Sequence, residues 1–135
     1  MKKVFVDTSA LVAFFDRKDF YHIDSVRLFE KIKKEKIKIL ITDYIFDECV
    51  TTILSRVGHN NAVRAGEFIL SSKIIEMIWL DESIKFKSWD FFKIHSDKEF
   101  SFTDCTSFVL MKEMKIREYF AFDDDFKQVG FEGLF

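Results

Sequence analysis

Proline is absent from this 135-residue chain, glycine occurs four times and cysteine twice. Without proline, the turns fall to Gly, Asn and Asp, and those residues punctuate the fold. Two cysteines, Cys49 and Cys105, are too few for a disulfide scaffold and lack zinc-ligand spacing. They read as small buried hydrophobes. An excess of one charge is also missing: 21 basic residues stand against 23 acidic ones, for a net charge of −2. The chain is therefore not broadly basic in the manner of many nucleic-acid binders, although an acidic cluster would offset basic surface elsewhere. No stretch approaches the ~20 apolar residues of a membrane span, and Asp7 and Asp16 break the apolar start too early for a signal peptide. A cytoplasmic, soluble protein without membrane association is expected.

What is present is hydrophobic material: 48% of residues, including 18 Phe, against 33% charged. A chain of this length reads most simply as one domain over residues 1–135, able to bury roughly two-thirds of its unfolded surface. The densest basic run, Lys31, Lys33, Lys34, Lys36 and Lys38, reads as a solvated helix end and strand edge.

Residues 3–7 are rich in β-branched and aromatic side chains and predict a buried strand. Thr8 or Ser9 can cap a helix carrying Leu11, Val12, Phe14 and Phe15. Helical spacing recurs over residues 20–35, and 37–41 read as a second strand. Thr42 or Asp43 opens a helix to about Arg56, with Ile45, Cys49, Ile53 and Val57 along one stripe. Gly58 ends it, and Asn60 or Asn61 opens the next, through Leu70. A third strand fits 74–80. A helix over 82–95 has Ile84, Trp89 and Phe92 as buried candidates, and a helix over 103–115 turns Cys105, Val109 and either Leu110 or Met114 inward. A fourth strand covers 118–122 and a short fifth lies near 129–131. This alternation predicts an α/β fold: a central parallel sheet of four to five strands flanked by helices.

Four acids stand where hydrophobic stretches give way to turns or helix starts: Asp7, Glu48, Asp104 and Asp123. In a parallel sheet the carboxyl ends of strands border one crevice, where ligands bind. Each acid alone has an ordinary reading. Asp7 before Thr-Ser is a helix cap; Glu48 is a helix-surface acid whose neighbour Asp47 could be the inward one; Asp104 suits a helix start; Asp123, Asp124 and Asp125 make a solvated turn. Register favours Glu48, which adjoins the Ile45–Cys49–Ile53 stripe. Thr103 reads as the better cap, leaving Asp104 free. Asp123 and Asp125 are the inward candidates of their trio. Together, carboxylates in a partly dry cleft repel one another unless a divalent cation holds them. All-oxygen ligands point to Mg²⁺ or Mn²⁺; His22, His59 and His95 lie outside the four segments, His95 reading as a surface imidazole. This is the chemistry of metal-dependent phosphodiester hydrolysis.

The segments Val6-Asp7-Thr8-Ser9-Ala10-Leu11, Asp47-Glu48-Cys49, Phe100-Ser101-Phe102-Thr103-Asp104-Cys105 and Ala121-Phe122-Asp123-Asp124-Asp125-Phe126, followed by Gly130-Phe131, resemble the PIN-domain ribonucleases. Among these they resemble the VapC-type toxins of bacterial and archaeal toxin–antitoxin pairs. Order and spacing agree over essentially the whole chain; Cys105 in place of a small Ala and the lack of proline are departures that touch none of the acids. The resemblance implies a PIN-like fold and a metal site of Asp7, Glu48, Asp104 and Asp123, with Asp125 in support and Thr8, Ser9 and Thr103 orienting waters or carboxylates. It further implies an RNA substrate, a homodimer, and an antitoxin whose C-terminal segment covers the site. Arg17, Lys18, Arg56 and Arg64 are candidate RNA-backbone contacts, each with a solvated charge as its alternative. An RNA-processing endonuclease that is not a toxin, or a silent binding module on the same fold, are the alternatives. An aspartyl-phosphate phosphotransferase would want an acid where Ser9 stands, and a receiver-like module would want paired acids at the first strand's end.

Overall fold

A computed structural model describes residues 1–135. The chain runs β1 (Lys3–Val6), α1 (Thr8–Phe15), α2 (His22–Lys34), β2 (Lys38–Thr42), α3 (Asp43–Arg56), α4 (His59–Ser71), β3 (Ile75–Ile78), α5 (Glu82–Ile94), α6 (Phe102–Met114), β4 (Glu118–Phe120), α7 (Asp125–Val129) and β5 (Glu132–Gly133). The five strands form one parallel sheet in the order β3-β2-β1-β4-β5, and seven helices flank it. The central strands are almost continuously buried, as expected where helices cover a parallel sheet. Edge strand β3 is only half-buried.

Three of the many phenylalanines join the sheet to its C-terminal helices. Phe5 of β1 packs on Phe126 of α7, with ring centroids 6.0 Å apart, and Phe126 packs edge-on against Phe108 of α6 at 5.0 Å. All three are at most 1% exposed, and such aromatic pairs add packing energy beyond area burial. Of the predicted stripe, Ile45, Cys49 and Ile53 are fully buried, whereas Val57, the C-cap of α3, is 40% exposed; Cys105 is also buried.

Several boundaries differ from the sequence reading. Helix α1 is capped by Asp7, not by Thr8 or Ser9. Helix α6 is capped by Ser101. The expected strand near 129–131 is instead the end of helix α7 and a turn, closed by Gly130 at φ 104°, with β5 following at Glu132–Gly133. The left-handed backbone at Gly130 stops the helix after one turn and releases the chain into the sheet. Helix α4 starts at His59, after Gly58 at φ 121°. In α5 only Ile84 of the three buried candidates is buried. Trp89 and Phe92 are 49% and 38% exposed, stacked on each other. In α6, Leu110 turns inward and Met114 is 37% exposed. No helix is long and apolar enough to cross a membrane.

Candidate active site

The sheet order reverses at β1: the chain builds outward through β2 and β3, then crosses back to lay β4 on the other side of β1. Ligands of open α/β sheets bind at such a switch point, beyond the carboxyl ends of the strands. Val6 is in register with Phe120, so the chain leaves β1 and β4 side by side. The backbone N–H of Asp7 donates to the Phe120 carbonyl at 3.0 Å, fastening the two exits together.

Asp7 is the most constrained of the acids, at 4% exposed. Its Oδ2 accepts from the Ser9 N–H at 3.3 Å and from Ser9 Oγ at 3.0 Å. Ser9 Oγ in turn accepts from the Phe122 N–H at 3.0 Å, so one hydroxyl links the β1 exit to the β4 exit. The other carboxylate oxygen, Asp7 Oδ1, is buried without a partner, as is Thr8 Oγ1. Burial first, and then the charges of Asp123 and Asp104, raise the Asp7 pKa from 3.8 to about 7.

Asp104 belongs to a capping box. The Asp104 N–H donates to Ser101 Oγ, and the Ser101 N–H donates to Asp104 Oδ2, both at 3.0 Å. Thr103 is therefore not the cap. Burial raises the Asp104 pKa to about 6, with the Ser101 hydrogen bonds opposing and Asp125 and Asp123 adding to the rise. Asp125 is also raised, by burial and then by the charges of Asp123 and Asp124. Asp123 does not end a strand: β4 stops at Phe120, and Asp123 sits exposed in the following turn, its Oδ1 accepting from the Asp125 N–H at 3.1 Å. Glu48 is half-buried and Asp47 exposed. Burial and the Glu48 charge push the neighbouring Cys49 thiol up to about 12.

These side chains share one cleft of about 490 Å³. Asp7, Glu48, Asp104, Asp123 and Asp125 all line it, together with Thr8 and Ser9, while Asp47 and Asp124 do not. Thr103 does not line it either; its carbonyl accepts from the Thr106 and Ser107 hydroxyls. Of the four candidate basic contacts only Arg56 borders the cleft; Arg17, Lys18 and Arg64 do not. The histidines also stay away from it. His22 Nδ1 lies 2.8 Å from the Ala13 carbonyl, and His95 is half-buried against Phe91, not a surface imidazole.

Asp19, Tyr21, Thr52 and Phe122 line the cleft without having been marked by the sequence. Asp19 and Tyr21 come from the loop between α1 and α2, which follows a helix and not a strand, so strand-end reasoning passes over them. The Ser101–Asp104 box did carry a readable signal, a Ser followed three residues on by an acid at the head of an apolar run.

The carboxylates surround the cleft without converging: no three His, Cys, Asp or Glu side chains stand ready to hold an ion in this arrangement. The donor set nevertheless fits a hard divalent cation. It is all oxygen, and it includes a buried carboxylate oxygen with no partner.

A parallel sheet with a buried carboxylate at its switch point, and acids from α3, α6 and the β4–α7 turn facing it, defines a PIN-type domain. The chain belongs to the PIN-domain family, whose model matches residues 4–132. Within that family it is a VapC-type ribonuclease by kinship. It is 30% identical over 128 residues to the 23S rRNA-specific endonuclease VapC20 of Mycobacterium tuberculosis, covering 95% of both chains. It is 29% identical over 114 residues to a VapC ribonuclease of Archaeoglobus fulgidus, covering 83% of this chain and 72% of the relative. The crystal structure of the Mycobacterium tuberculosis VapC20, described as a sarcin–ricin loop cleaving toxin, superposes with a TM-score of 0.88 at 30% identity over 95% of each chain.

Proposed function

We propose that the protein is a Mg²⁺- or Mn²⁺-dependent endoribonuclease that acts as the toxin of a type II toxin–antitoxin pair. The observation that carries this reading is Asp7: a carboxylate buried at the switch point, with one oxygen unpartnered and its pKa raised beside two further acids. A buried anion of this kind is unfavourable without a cation opposite it.

Asp7, Glu48, Asp104 and Asp123 are the side chains that would hold the ion, with Asp125 in support. A divalent cation bound there supplies a water of lowered pKa and neutralises charge on the phosphate. Asp7, fixed by Ser9, is the rigid member of the set. Asp104 or Asp123 orients the attacking water for in-line displacement. Ser9 orients the Asp7 carboxylate, and the Thr8 hydroxyl, which is unpartnered, is free to orient a water. With water as the nucleophile and the 3′-oxygen as the leaving group, the P–O3′ bond breaks and the products carry 5′-phosphate and 3′-hydroxyl ends.

The domain is taken as a single unit that acts in the cytoplasm as a homodimer and is silenced by an antitoxin segment lying over the cleft. Ribosomal RNA is the first substrate to test, because the Mycobacterium tuberculosis relative is named for 23S rRNA. The experiment is cleavage of total cellular RNA by antitoxin-free protein with Mn²⁺ or with EDTA, beside Asp7→Asn. Metal-dependent cleavage that is lost in the variant and leaves 5′-phosphate ends supports the reading. Cleavage in EDTA, or 2′,3′-cyclic phosphate ends, contradicts it. Growth arrest on expression, relieved by the protein encoded beside it, would separate a toxin from an RNA-processing enzyme.

A further inference from the structure

The loop joining α1 to α2 brings an unusual pair of groups to the cleft. Whereas Phe5, Phe108 and Phe126 are packed away, Phe20 is 89% exposed. Its ring stands edge-on to Tyr21, with centroids 4.9 Å apart and planes at 84°. Tyr21 lies flat on Phe122, 4.5 Å away and within 6° of parallel. Tyr21 and Phe122 line the cleft, and Phe122 directly precedes Asp123. The three rings thus make a ledge running from solvent to the acids.

One carboxylate fixes this ledge relative to a cation. Asp19 Oδ1 accepts from the Tyr21 N–H at 2.8 Å, and Asp19 Oδ2 accepts from Arg56 Nη1 at 3.1 Å. Asp16, 8% exposed, stands 3.8 Å from the same nitrogen through Oδ2, while its Oδ1 accepts from the Lys18 N–H. Arg56 is the one cationic side chain lining the cleft. It is half-exposed, and its guanidinium has N–H donors beyond the one given to Asp19. Exposed rings beside a guanidinium are the combination that binds unpaired nucleic acid, with bases on the ring faces and phosphate on the cation.

We propose that this ledge is a nucleotide subsite: an unpaired base near the scissile phosphate stacks on the exposed Phe20 ring, which Tyr21 and Phe122 buttress, while Arg56 contacts an adjoining phosphate. The inference rests on the nuclease reading and extends it, giving the side of the cleft along which the strand runs and requiring that the strand be unpaired there. Asp19 is a positioning residue, acting through Tyr21 and Arg56.

The test uses full-length protein and a short unpaired oligoribonucleotide. Binding is read by fluorescence anisotropy in Ca²⁺, and cleavage of the same RNA is read separately in Mn²⁺. Replacing Phe20 and Tyr21 together by Ala should weaken binding about 5- to 100-fold and raise KM correspondingly, whereas Tyr21→Phe should bind like wild type. Phe20→Ala alone, at a position too exposed to threaten folding, should weaken binding in the same direction. An abasic nucleotide at the stacked position should weaken binding to wild type and have no further effect on the double variant. Arg56→Gln should lower the salt dependence of binding by about one unit of slope, which the aromatic variants leave in place. The subsite is overturned if wild type does not bind, if it binds unpaired and fully paired RNA alike, or if the aromatic variants bind RNA as wild type does. Loss of affinity for a protein partner alone would overturn it in favour of a protein contact. Wild type that binds the RNA but never cleaves it would sink the nuclease reading while leaving the ledge standing.

Discussion

The exits of β1 and β4 both deliver an aspartate to the same cleft, yet the two residues are held in opposite ways. Asp7 is buried, caps α1 and is pinned by Ser9. Asp123 is exposed in a turn between β4 and α7, and its partner is a backbone N–H two residues on. The β1 exit is a rigid anchor whose charge the fold alone does not accommodate. The β4 exit is an arm that leaves its carboxylate facing solvent. The site thus combines one buried, pinned carboxylate with others that stand nearer solvent.

The largest effect that should separate the two exits is the loss from Asp7→Asn. Removing a fixed ligand should lower cleavage about a thousandfold or more, and the same substitution should stabilise the metal-free protein. Asp123→Asn should also impair cleavage, by about a hundredfold, but with little change in melting temperature. Equal stability changes in the two variants would erase the distinction between anchor and arm.

A pH series sharpens it further. With a folded pKa of about 7 against 3.8, protonated Asp7 is favoured by folding. Its contribution to stability is therefore fully present below pH 3.8 and lost as pH rises to about 7. Each pKa unit corresponds to about 1.4 kcal/mol, so the loss reaches about 4 kcal/mol as an upper figure. Thermal melts of metal-free protein should lose stability across that window, Asp7→Asn should lose less, and Mn²⁺ should restore more stability at pH 8 than at pH 5.

Ser9→Ala tests the link between the exits. It removes a hydrogen bond to Asp7 and leaves the Phe122 N–H without its acceptor, so it should cost about 1–2 kcal/mol of stability and about tenfold in cleavage. The smallest effect should come from reversing the charges of Arg17 and Lys18 together. Neither lines the cleft, so the salt dependence of RNA binding should change by less than it does for Arg56→Gln. A larger change would put the RNA path on the outer side of the loop.

The parallel sheet and the acids of the cleft were legible because period and position leave little freedom. Continuous apolar runs predict β1 and β2, and the Ile45–Cys49–Ile53 stripe orients α3 so that Glu48, not Asp47, faces the cleft. What was illegible depends on contacts between segments. Asp19 and Tyr21 are drawn in by Arg56, 37 residues downstream of Asp19, and Phe122 is held by Ser9 from the far end of the chain. Trp89 and Phe92 were expected inside on hydrophobicity, yet they stack on each other at the surface, and Phe91 is the α5 ring that packs on Phe108 of the core. The short helix α7 was hidden by a strand-like Val129-Gly130-Phe131, which Gly130 breaks.

The most direct test of the account is a calorimetric titration of Mn²⁺ into wild type and Asp7→Asn near pH 6, in two buffers of different ionisation enthalpy. The account predicts carboxylate-dependent binding that releases about one proton per ion in wild type, and binding in Asp7→Asn that is at least tenfold weaker and releases fewer protons. Equally tight binding in both proteins, with no proton released, would contradict it.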